Sequence, residues 1–212
     1  MKTAVVTTRL FGENIYLVWD EKSLDAAVID PGMMDASERG QVVDLVKRER
    51  LNVRYVLLTH LHVDHCCSAR WTADKFGAKV LGSAKDKLLA ENLMGQAEMF
   101  HLKITPQPLA IDTALMQGDE LNVGEILIRV LATPGHTEGG LTYYMPKSGV
   151  AFVGDTIFQG SVGRTDLPGG NHTELIISIK EKLFTLPADT ILAPGHGPTT
   201  TVGAEQHYNP YV

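Results

Sequence analysis

Residues 59–67, THLHVDHCC, carry three histidines and one aspartate within six positions. These side chains are His60, His62, Asp64 and His65. Imidazole nitrogens and carboxylate oxygens are the ligands that zinc and related divalent metals bind in proteins. A lone histidine is usually a surface residue or a satisfied core residue, but four such side chains so close together indicate metal chemistry.

Three more ligand-type residues follow predicted strands farther along the chain. They are His136, Asp155 and His196, and each stands directly after a glycine. Glycine lets the backbone turn where most residues would resist. Because the loops at strand ends gather on one rim of a sheet and carry functional residues, we expect these three side chains to meet the cluster at residues 60–65.

The number of candidate ligands predicts the number of metals. In an extended segment alternate residues share a face, so His60, His62 and Asp64 are expected to converge while His65 points elsewhere. Seven ligands exceed the four that one tetrahedral zinc needs. Two divalent ions bridged by one carboxylate would use all seven. We expect zinc, with iron or manganese open, because nitrogen and oxygen ligands without thiolate suit all three.

The elements that position these ligands can be predicted from apolar periodicity. The cluster follows residues 53–58, VRYVLL, a predicted strand, and an amphipathic helix is predicted before it over residues 36–50. Further helices are predicted at residues 68–76, 85–94 and 173–184, whereas residues 99–117 give no clear signal. The remaining segments are β-type. The predicted class is α/β, with two sheets packed face to face and helices outside.

Size and charge limit the classes of function. A chain of 212 residues with 44% apolar content can bury one core, so we predict a single domain over residues 1–212. The net charge of -6 and the lack of a Lys/Arg run argue against nucleic-acid binding. Eighteen consecutive apolar residues occur nowhere, so no membrane partner is expected.

The two cysteines, Cys66 and Cys67, are adjacent and therefore poorly placed to link distant parts of the fold. This arrangement fits a reducing compartment, and we predict a cytoplasmic protein. A thiol beside two cations could have a depressed pKa and be reactive. We favour the alternative that both cysteines pack as small apolar residues behind the cluster.

Four motifs together resemble those of a known family. HLHVDH at residues 60–65, GH at 135–136, GD at 154–155 and GH at 195–196 match, in order, the ligand motifs of the metallo-β-lactamase superfamily, over essentially the whole chain. The resemblance implies a four-layer αββα sandwich with two mixed β-sheets. It also implies a first metal held by His60, His62 and His136, a second held by Asp64, His65 and His196, and Asp155 as the bridge.

Within that superfamily, two segments resemble the short bacterial glyoxalase II-like hydrolases. They are GDTIFQGSVGRTDLPGGNHTEL at residues 154–175 and the ending APGHGPTTTVGAEQHYNPYV. Arg164 stands where glyoxalase II enzymes keep a basic residue for the glutathione carboxylate, although Asp166 replaces their tyrosine two residues later. Only sixteen residues follow His196, so we expect no separate C-terminal helical glutathione-binding domain. Gly140 replaces the last histidine of the family's GHTxGH motif, which is not one of the seven ligands.

The resemblance implies hydrolysis of a small-molecule thioester, S-D-lactoylglutathione, to D-lactate and glutathione. The expected nucleophile is a metal-bridging hydroxide oriented by Asp64 and Asp155. A thiolate, whose parent thiol has a pKa near 8.5, leaves without being protonated, whereas an amide nitrogen needs a proton or a metal. A site of metals and hydroxide therefore suits a thioester. We expect a monomer or a small homo-oligomer.

Three alternatives stay open at this point. A persulfide dioxygenase-like enzyme would use one ferrous ion on a two-histidine, one-carboxylate face formed by His60, His136 and Asp155. A lactonase-type hydrolase would use the same fold. A non-catalytic binding protein would be expected to lack ligands, and none is missing. The segment PGHGP around His196 resembles the glyoxalase II-like ending and favours the hydrolase.

Overall fold

The computed structural model describes residues 1–212, with helices and strands along most of the chain. The strands are β1 (Lys2–Thr7), β2 (Asn14–Trp19), β3 (Asp25–Ile29), β4 (Asn52–Leu57), β5 (Lys79–Gly82), β6 (Thr113–Ala114), β7 (Glu120–Val123), β8 (Ile126–Ala132), β9 (Leu141–Met145), β10 (Val150–Gly154), β11 (Ile157–Phe158), β12 (Ser161–Val162), β13 (Ile191–Pro194) and β14 (Thr200–Thr201). The helices are α1 (Ala36–Glu49), α2 (Val63–Cys66), α3 (Ala69–Phe76), α4 (Lys87–Glu91), α5 (Leu93–Met99), α6 (His172–Ser178) and α7 (Val202–Tyr208).

The strands form two six-stranded mixed sheets and one small hairpin. The first sheet has the order β1-β2-β3-β4-β5-β6, and the second has the order β14-β13-β10-β9-β8-β7. In the first sheet β1, β2 and β3 are antiparallel, while β3 to β6 run parallel. In the second sheet only β10 and β13 pair in parallel. Strands β11 and β12 form the hairpin.

Alternate residues of β2 show how the layers are built. Ile15 and Leu17 pack in a cluster shared with helices α1, α3 and α5, whereas Tyr16 and Val18 pack in a cluster shared with the second sheet. Strand β2 is buried throughout because it is covered on both faces. A strand in that position is expected to be apolar, as β2 is after Asn14. A third cluster joins the outer face of the second sheet to α6 and α7. The predicted αββα sandwich is therefore confirmed.

Local sequence explains where the helices begin and end. Helix α1 begins after Asp35, whose side chain accepts a hydrogen bond from the Glu38 N–H, and it ends at Arg50 in the left-handed conformation. The helix predicted over residues 173–184 is instead α6 followed by a π-helical turn at Ile179–Leu183. Residues 101–112, which gave no clear signal, contain no helix or strand.

No helix in the chain combines the length and the apolar content that crossing a bilayer would require. The single domain, the cytoplasmic location and the oligomeric state stay predictions.

A buried hydrogen bond made by a tyrosine side chain helps to join the two sheets near the predicted cluster. Tyr143 of β9 donates its hydroxyl to the Leu58 carbonyl, directly after β4, at 2.7 Å. Replacing Tyr143 with phenylalanine removes the donor and leaves that carbonyl unsatisfied in the interior. We expect Tyr143→Phe to lower the free energy of unfolding by about 1 to 3 kcal/mol, measured by urea denaturation.

Tyr144 provides the matched control for this measurement. It is also buried, but its hydroxyl makes no hydrogen bond within the protein. We expect Tyr144→Phe to change the free energy of unfolding by less than about 0.5 kcal/mol. Equal losses in both variants would show that the bond between Tyr143 and Leu58 does not stabilise the contact between the sheets.

Candidate metal centre

The structure brings all seven predicted ligands together at one rim of the sandwich. Two follow β4 in an extended segment, two lie in α2, and one follows each of β8, β10 and β13. All are buried or nearly so, the most exposed side chain being that of His196 at 25%. They are His60, His62, Asp64, His65, His136, Asp155 and His196.

The ligands form two groups, each with its ligand atoms within 4.8 Å of one another. In the first group, His62 Nδ1 lies 2.9 Å from His136 Nε2. In the second group, His65 Nε2 lies 3.2 Å from His196 Nε2, and Asp64 Oδ2 lies 3.3 Å from the same His196 atom. The first group is His60, His62 and His136, and the second group is Asp64, His65 and His196.

Asp155 stands between the two groups. Its Oδ2 lies 3.7 Å from His136 Nε2 in the first group and 3.6 Å from His196 Nε2 in the second. Its Oδ1 lies 3.4 Å from His65 Nε2. One carboxylate is therefore within reach of both groups, which is the arrangement expected of a bridging ligand.

One detail of the predicted geometry is wrong. Asp64 was expected to share an extended face with His60 and His62, but it lies in helix α2. The helix begins at Val63, and the Cys66 N–H bonds back to the His62 carbonyl at 3.1 Å. Asp64 therefore turns away from the first group and joins His65 in the second.

Backbone carbonyls fix the orientation of two of the histidines. His136 donates its Nδ1–H to the Arg164 carbonyl at 2.7 Å, and His196 donates its Nδ1–H to the Phe11 carbonyl at 3.1 Å. These bonds leave Nε2 of both rings as the unprotonated nitrogen facing the site. Such outer hydrogen bonds set the tautomer and the ring angle of metal-binding histidines.

Asp30 fixes the orientation of the two histidines at the buried centre of the cluster, His65 and His60. Its Oδ2 lies 3.1 Å from His65 Nδ1 and accepts a hydrogen bond from the Thr59 hydroxyl at 2.6 Å, and its Oδ1 accepts from the Thr59 N–H at 2.7 Å. The Thr59 hydroxyl in turn lies 3.1 Å from His60 Nδ1. Asp30 follows strand β3 as Asp155 follows β10, and this shared position is the sequence signal that could have revealed it.

Buried polar atoms without partners test whether the residues fit a metal. His60 Nε2 and Asp155 Oδ1 are both buried and have no hydrogen-bond partner in the protein. Buried polar atoms are nearly always satisfied, because an unsatisfied one costs about 1 to 3 kcal/mol. Both atoms belong to the ligand cluster, and a bound cation would satisfy them, so the donor set fits divalent cations.

Electrostatics separates the histidines into two kinds. Burial, with the neighbouring imidazoles adding, lowers the pKa of His60 well below its ordinary value and that of His62 to about 3. Burial also acts to lower the pKa of His65, but the carboxylates of Asp155 and Asp64 outweigh it and raise that pKa well above its ordinary value. His60 and His62 are therefore neutral and ready to donate lone pairs at neutral pH.

The carboxylates of Asp64 and Asp155 stay ionised because nearby histidines lower their pKa values. Burial alone would raise the pKa of Asp155 and of Asp64. The nearby histidines together outweigh burial, with His65 contributing most and His196 adding to it, and they lower each pKa below its ordinary value. The site thus presents carboxylates, not carboxylic acids, to whatever binds there.

Two of the glycines that precede ligands are required because a side chain would not fit at their positions. A Cβ on Gly195 would lie 2.4 Å from both Asp155 Oδ1 and His65 Cε1, inside the ligand cluster itself. Gly135 has a φ of 130° and a Cβ there would lie 2.3 Å from the Leu175 backbone. Each position combines a close approach with a turn into the following histidine, which only glycine allows.

A buried carboxylate that the sequence did not reveal connects the loops that carry the first group. Asp86 accepts hydrogen bonds from the Leu61 N–H at 3.2 Å, the Thr137 hydroxyl at 2.8 Å and the Gly139 N–H at 2.7 Å. Leu61 stands between His60 and His62, and Thr137 directly follows His136. Asp86 therefore fixes the two loops of the first group in position relative to each other.

Arg164, predicted to bind a substrate carboxylate, lies on the exposed side of the site. Its carbonyl holds His136, but its guanidinium is paired with Asp166 through Nε at 2.7 Å and Nη2 at 2.8 Å. Asp166, which replaces the family's tyrosine, therefore already accepts two hydrogen bonds from the Arg164 guanidinium.

The adjacent cysteines are buried behind the cluster, at 1% and 5% exposure. Burial raises the pKa of the Cys66 thiol well above its ordinary value and that of Cys67 to about 12. Both are therefore protonated at neutral pH, which agrees with packing and not with reactivity.

The chain is similar to known proteins along most of its length. A sequence model of the metallo-beta-lactamase superfamily matches residues 8–196. The chain belongs to that superfamily. Hydroxyacylglutathione hydrolase GloC of Haemophilus influenzae is 37% identical over 213 residues, covering 100% of this chain and 98% of GloC.

Two solved structures extend the comparison within the superfamily. The BLEG-1 B3 metallo-beta-lactamase is 35% identical with a TM-score of 0.90, and 99% of each chain is covered. TTHA1623 in a di-iron-bound form is 36% identical with a TM-score of 0.87, covering 99% of this chain and 100% of TTHA1623. Membership and these similarities identify a metallo-hydrolase of the superfamily with histidine and aspartate groups suited to metal.

The three bonds to Asp86 generate a prediction about metal retention. Asp86→Asn keeps the shape but turns one acceptor oxygen into a donor that faces another donor. We expect the variant to retain metal roughly tenfold less tightly, as outer residues of metal sites typically do when replaced, measured by competition with a chromophoric chelator.

Asp112→Asn serves as the matched control, because Asp112 also accepts a backbone N–H, that of Val80 at 2.8 Å, but contacts no ligand loop. Equal metal retention in the two variants would remove Asp86 from its positioning role.

Proposed function

We propose that this metallo-hydrolase is a binuclear thioesterase of the glyoxalase II type, which cleaves S-D-lactoylglutathione to D-lactate and glutathione. The observation that carries the proposal is the position of Asp155 between two complete ligand groups. In this proposal the first group holds one divalent cation, the second group holds another, and Asp155 is shared. We propose zinc as the metal that both groups bind. The di-iron form of TTHA1623 is a reason to test iron beside it.

Cations bound there would lower the pKa of coordinated water from 15.7 to about 7 and polarise a carbonyl oxygen. The residues of the chain supply the rest. Asp64 and Asp155 lie at the two ligand groups, where their carboxylate oxygens would accept hydrogen bonds from the attacking water and hold it in one orientation. Asp30 and the carbonyls of Phe11 and Arg164 keep the histidine rings from turning.

Leaving-group chemistry supports a thioester over an amide. A departing thiolate needs no proton, because its parent thiol has a pKa near 8.5. An amide nitrogen needs a general acid. The cysteine thiols are buried behind the cluster and are not placed to donate one. The likeness to BLEG-1 nevertheless makes a β-lactam the second candidate substrate, and it is included in the test.

The test uses purified chain stripped of metal and reloaded separately with zinc, ferrous iron or manganese. We expect two metals per chain by elemental analysis and cleavage of S-D-lactoylglutathione under nitrogen, with no turnover of nitrocefin. A single iron per chain with oxygen uptake on glutathione persulfide would overturn the proposal in favour of a persulfide dioxygenase. Cleavage of nitrocefin or of a lactone without thioester cleavage would overturn it in favour of those substrates.

His62→Ala provides the variant for the same assay. Loss of one ligand of the first group should leave one metal per chain and abolish thioester cleavage. His207→Ala is the control, since His207 is an exposed residue of α7 and is not one of the seven ligands. Full activity in His62→Ala would contradict the assignment of the first group.

Arg164 is proposed to bind a carboxylate of the substrate by exchanging it for Asp166. Arg164→Ala should then raise KM about fivefold with little change in kcat, because an exposed ion pair contributes about 1 kcal/mol or less. Asp166→Asn should lower KM, since it frees the guanidinium. The comparison substrate is an N-acetylcysteamine thioester, which has no carboxylate and should respond to neither change. A drop in kcat with unchanged KM would remove Arg164 from substrate binding.

A further inference from the structure

His62 is the one ligand histidine whose ring is not held by a residue outside the ligand set. Its only hydrogen-bond neighbour is another ligand, His136, whose Nε2 lies 2.9 Å from His62 Nδ1. Outer hydrogen bonds normally fix the ring angle of a metal-binding histidine. The other four rings have them: His60 with Thr59, His65 with Asp30, His136 with the Arg164 carbonyl and His196 with the Phe11 carbonyl.

His62 also presents a different nitrogen to the first group. His136 presents Nε2, and the unpartnered buried nitrogen of His60 is likewise Nε2, whereas His62 presents Nδ1. Nδ1 is bonded directly to Cγ and therefore lies closer to the main chain than Nε2 does. The side-chain torsions have less reach with which to correct its position. The place of this ligand atom therefore depends on how firmly the peptides around His62 are held.

Gln96 of helix α5 holds those peptides on both sides. Its Oε1 accepts a hydrogen bond from the Val63 N–H at 3.0 Å, and its Nε2 donates to the Leu61 carbonyl at 3.3 Å. Nε2 also donates to the Leu89 carbonyl at 2.9 Å, so the amide uses its acceptor and both donors. The side chain is buried. One planar group thus ties the residues before and after His62 to helices α4 and α5.

Helix α2 depends on the same side chain. It has four residues and begins after His62, whose own side chain makes no capping bond. A helix of about one turn does not persist through its own propensity, and its first N–H groups need partners. The Val63 N–H finds its partner in Gln96 Oε1. Gln96 therefore caps α2 from another helix and fixes the point at which the chain leaves the extended segment.

We propose that Gln96 is a positioning residue of the metal centre, which places His62 Nδ1 in the first group by holding the two peptides around it. The buried amide does for His62 what an outer hydrogen bond does for each of the other four histidines. The inference goes beyond the proposed function, because it concerns how the chain binds metal and does not depend on which substrate the centre acts on.

Gln96→Met tests the inference with little change in side-chain length. Methionine occupies similar space but leaves the Val63 N–H and the Leu61 carbonyl without partners. We expect the full-length chain to bind zinc roughly tenfold more weakly, the smaller of the losses seen when an outer partner of a metal ligand is removed. The measurement is competition with a chromophoric chelator.

Glu205→Met is the matched control, because it removes another buried side chain of the same length that accepts three hydrogen bonds. Its donors are the Gly160 N–H, the Thr200 hydroxyl and Asn209 Nδ2, none of which belongs to a ligand. We expect both variants to lower the melting temperature of the metal-free chain and only Gln96→Met to weaken zinc binding. Equal zinc affinities in the two variants would show that Gln96 serves the fold alone.

Cadmium NMR gives a readout that a loss of stability does not change. The chain is loaded with an NMR-active cadmium isotope and labelled with heavy nitrogen in its histidine rings, so that a one-bond coupling identifies each ligand nitrogen. We expect the parent protein and Glu205→Met to show coupling from His62 Nδ1, and Gln96→Met to lose it while the couplings from His60 and His136 persist. Coupling from His62 Nε2 in the parent protein, or an intact Nδ1 coupling in Gln96→Met, would overturn the inference.

Gln96→Asn keeps the test decisive if the methionine variant does not fold. Asparagine retains an uncharged amide but is one methylene shorter, so it cannot span both peptides beside His62. We expect an intermediate loss of zinc affinity, roughly threefold, the effect of losing one neutral hydrogen bond. Affinity equal to that of the parent protein would contradict the positioning role.

The outcomes separate this inference from the proposed function. If the metal measurements come out as expected but no metal-loaded form cleaves a thioester, Gln96 keeps its role and the thioesterase is wrong. If thioesters are cleaved but Gln96→Met binds zinc as tightly as the parent protein, the thioesterase stands and Gln96 does not position His62.

Discussion

The close packing of imidazole lone pairs is the constraint on which the rest of the structure depends. Nitrogens of His62 and His136 lie 2.9 Å apart, and those of His65 and His196 lie 3.2 Å apart. Two lone pairs directed at each other over such a distance repel unless a proton or a cation lies between them. The strand ends, the glycines that admit the rings and the outer hydrogen bonds on Nδ1 all serve to hold this arrangement, which in turn determines the chemistry open to the site.

Much of this site could be predicted from the sequence because its signals are local. A histidine or aspartate after a glycine at the end of an apolar run marks a strand end for three of the ligands, the other four follow one strand as a cluster, and all seven meet at one rim. The sandwich follows for a similar reason, since β2 is apolar at every position after Asn14 and so needs cover on both faces. The helices predicted over residues 36–50 and 68–76 are confirmed as α1 and α3, whereas the helix predicted over residues 85–94 is divided between α4 and α5.

The parts that could not be predicted depend on contacts between distant residues. Asp86 lies in a stretch with no motif, and its role is visible only through its bonds to Leu61, Thr137 and Gly139. Asp64 was misplaced because a helix of four residues gives no periodic signal. The π-helical turn at Ile179–Leu183 and the two-residue strand β6 are likewise fixed by packing and not by local preference.

The distribution of the ligands over both sheets has a thermodynamic consequence. His60 and His62 extend from the first sheet, whereas His136, Asp155 and His196 extend from the second. A cation held by ligands from both would cross-link two layers that also meet through apolar contacts and through hydrogen bonds such as that from Tyr143 to the Leu58 carbonyl. Its binding to the folded chain adds RT ln(1 + [L]/Kd) to the free energy of unfolding, about 2.7 kcal/mol at a free metal concentration one hundred times Kd. The lifetime of the folded protein would then follow the metal supply of its surroundings.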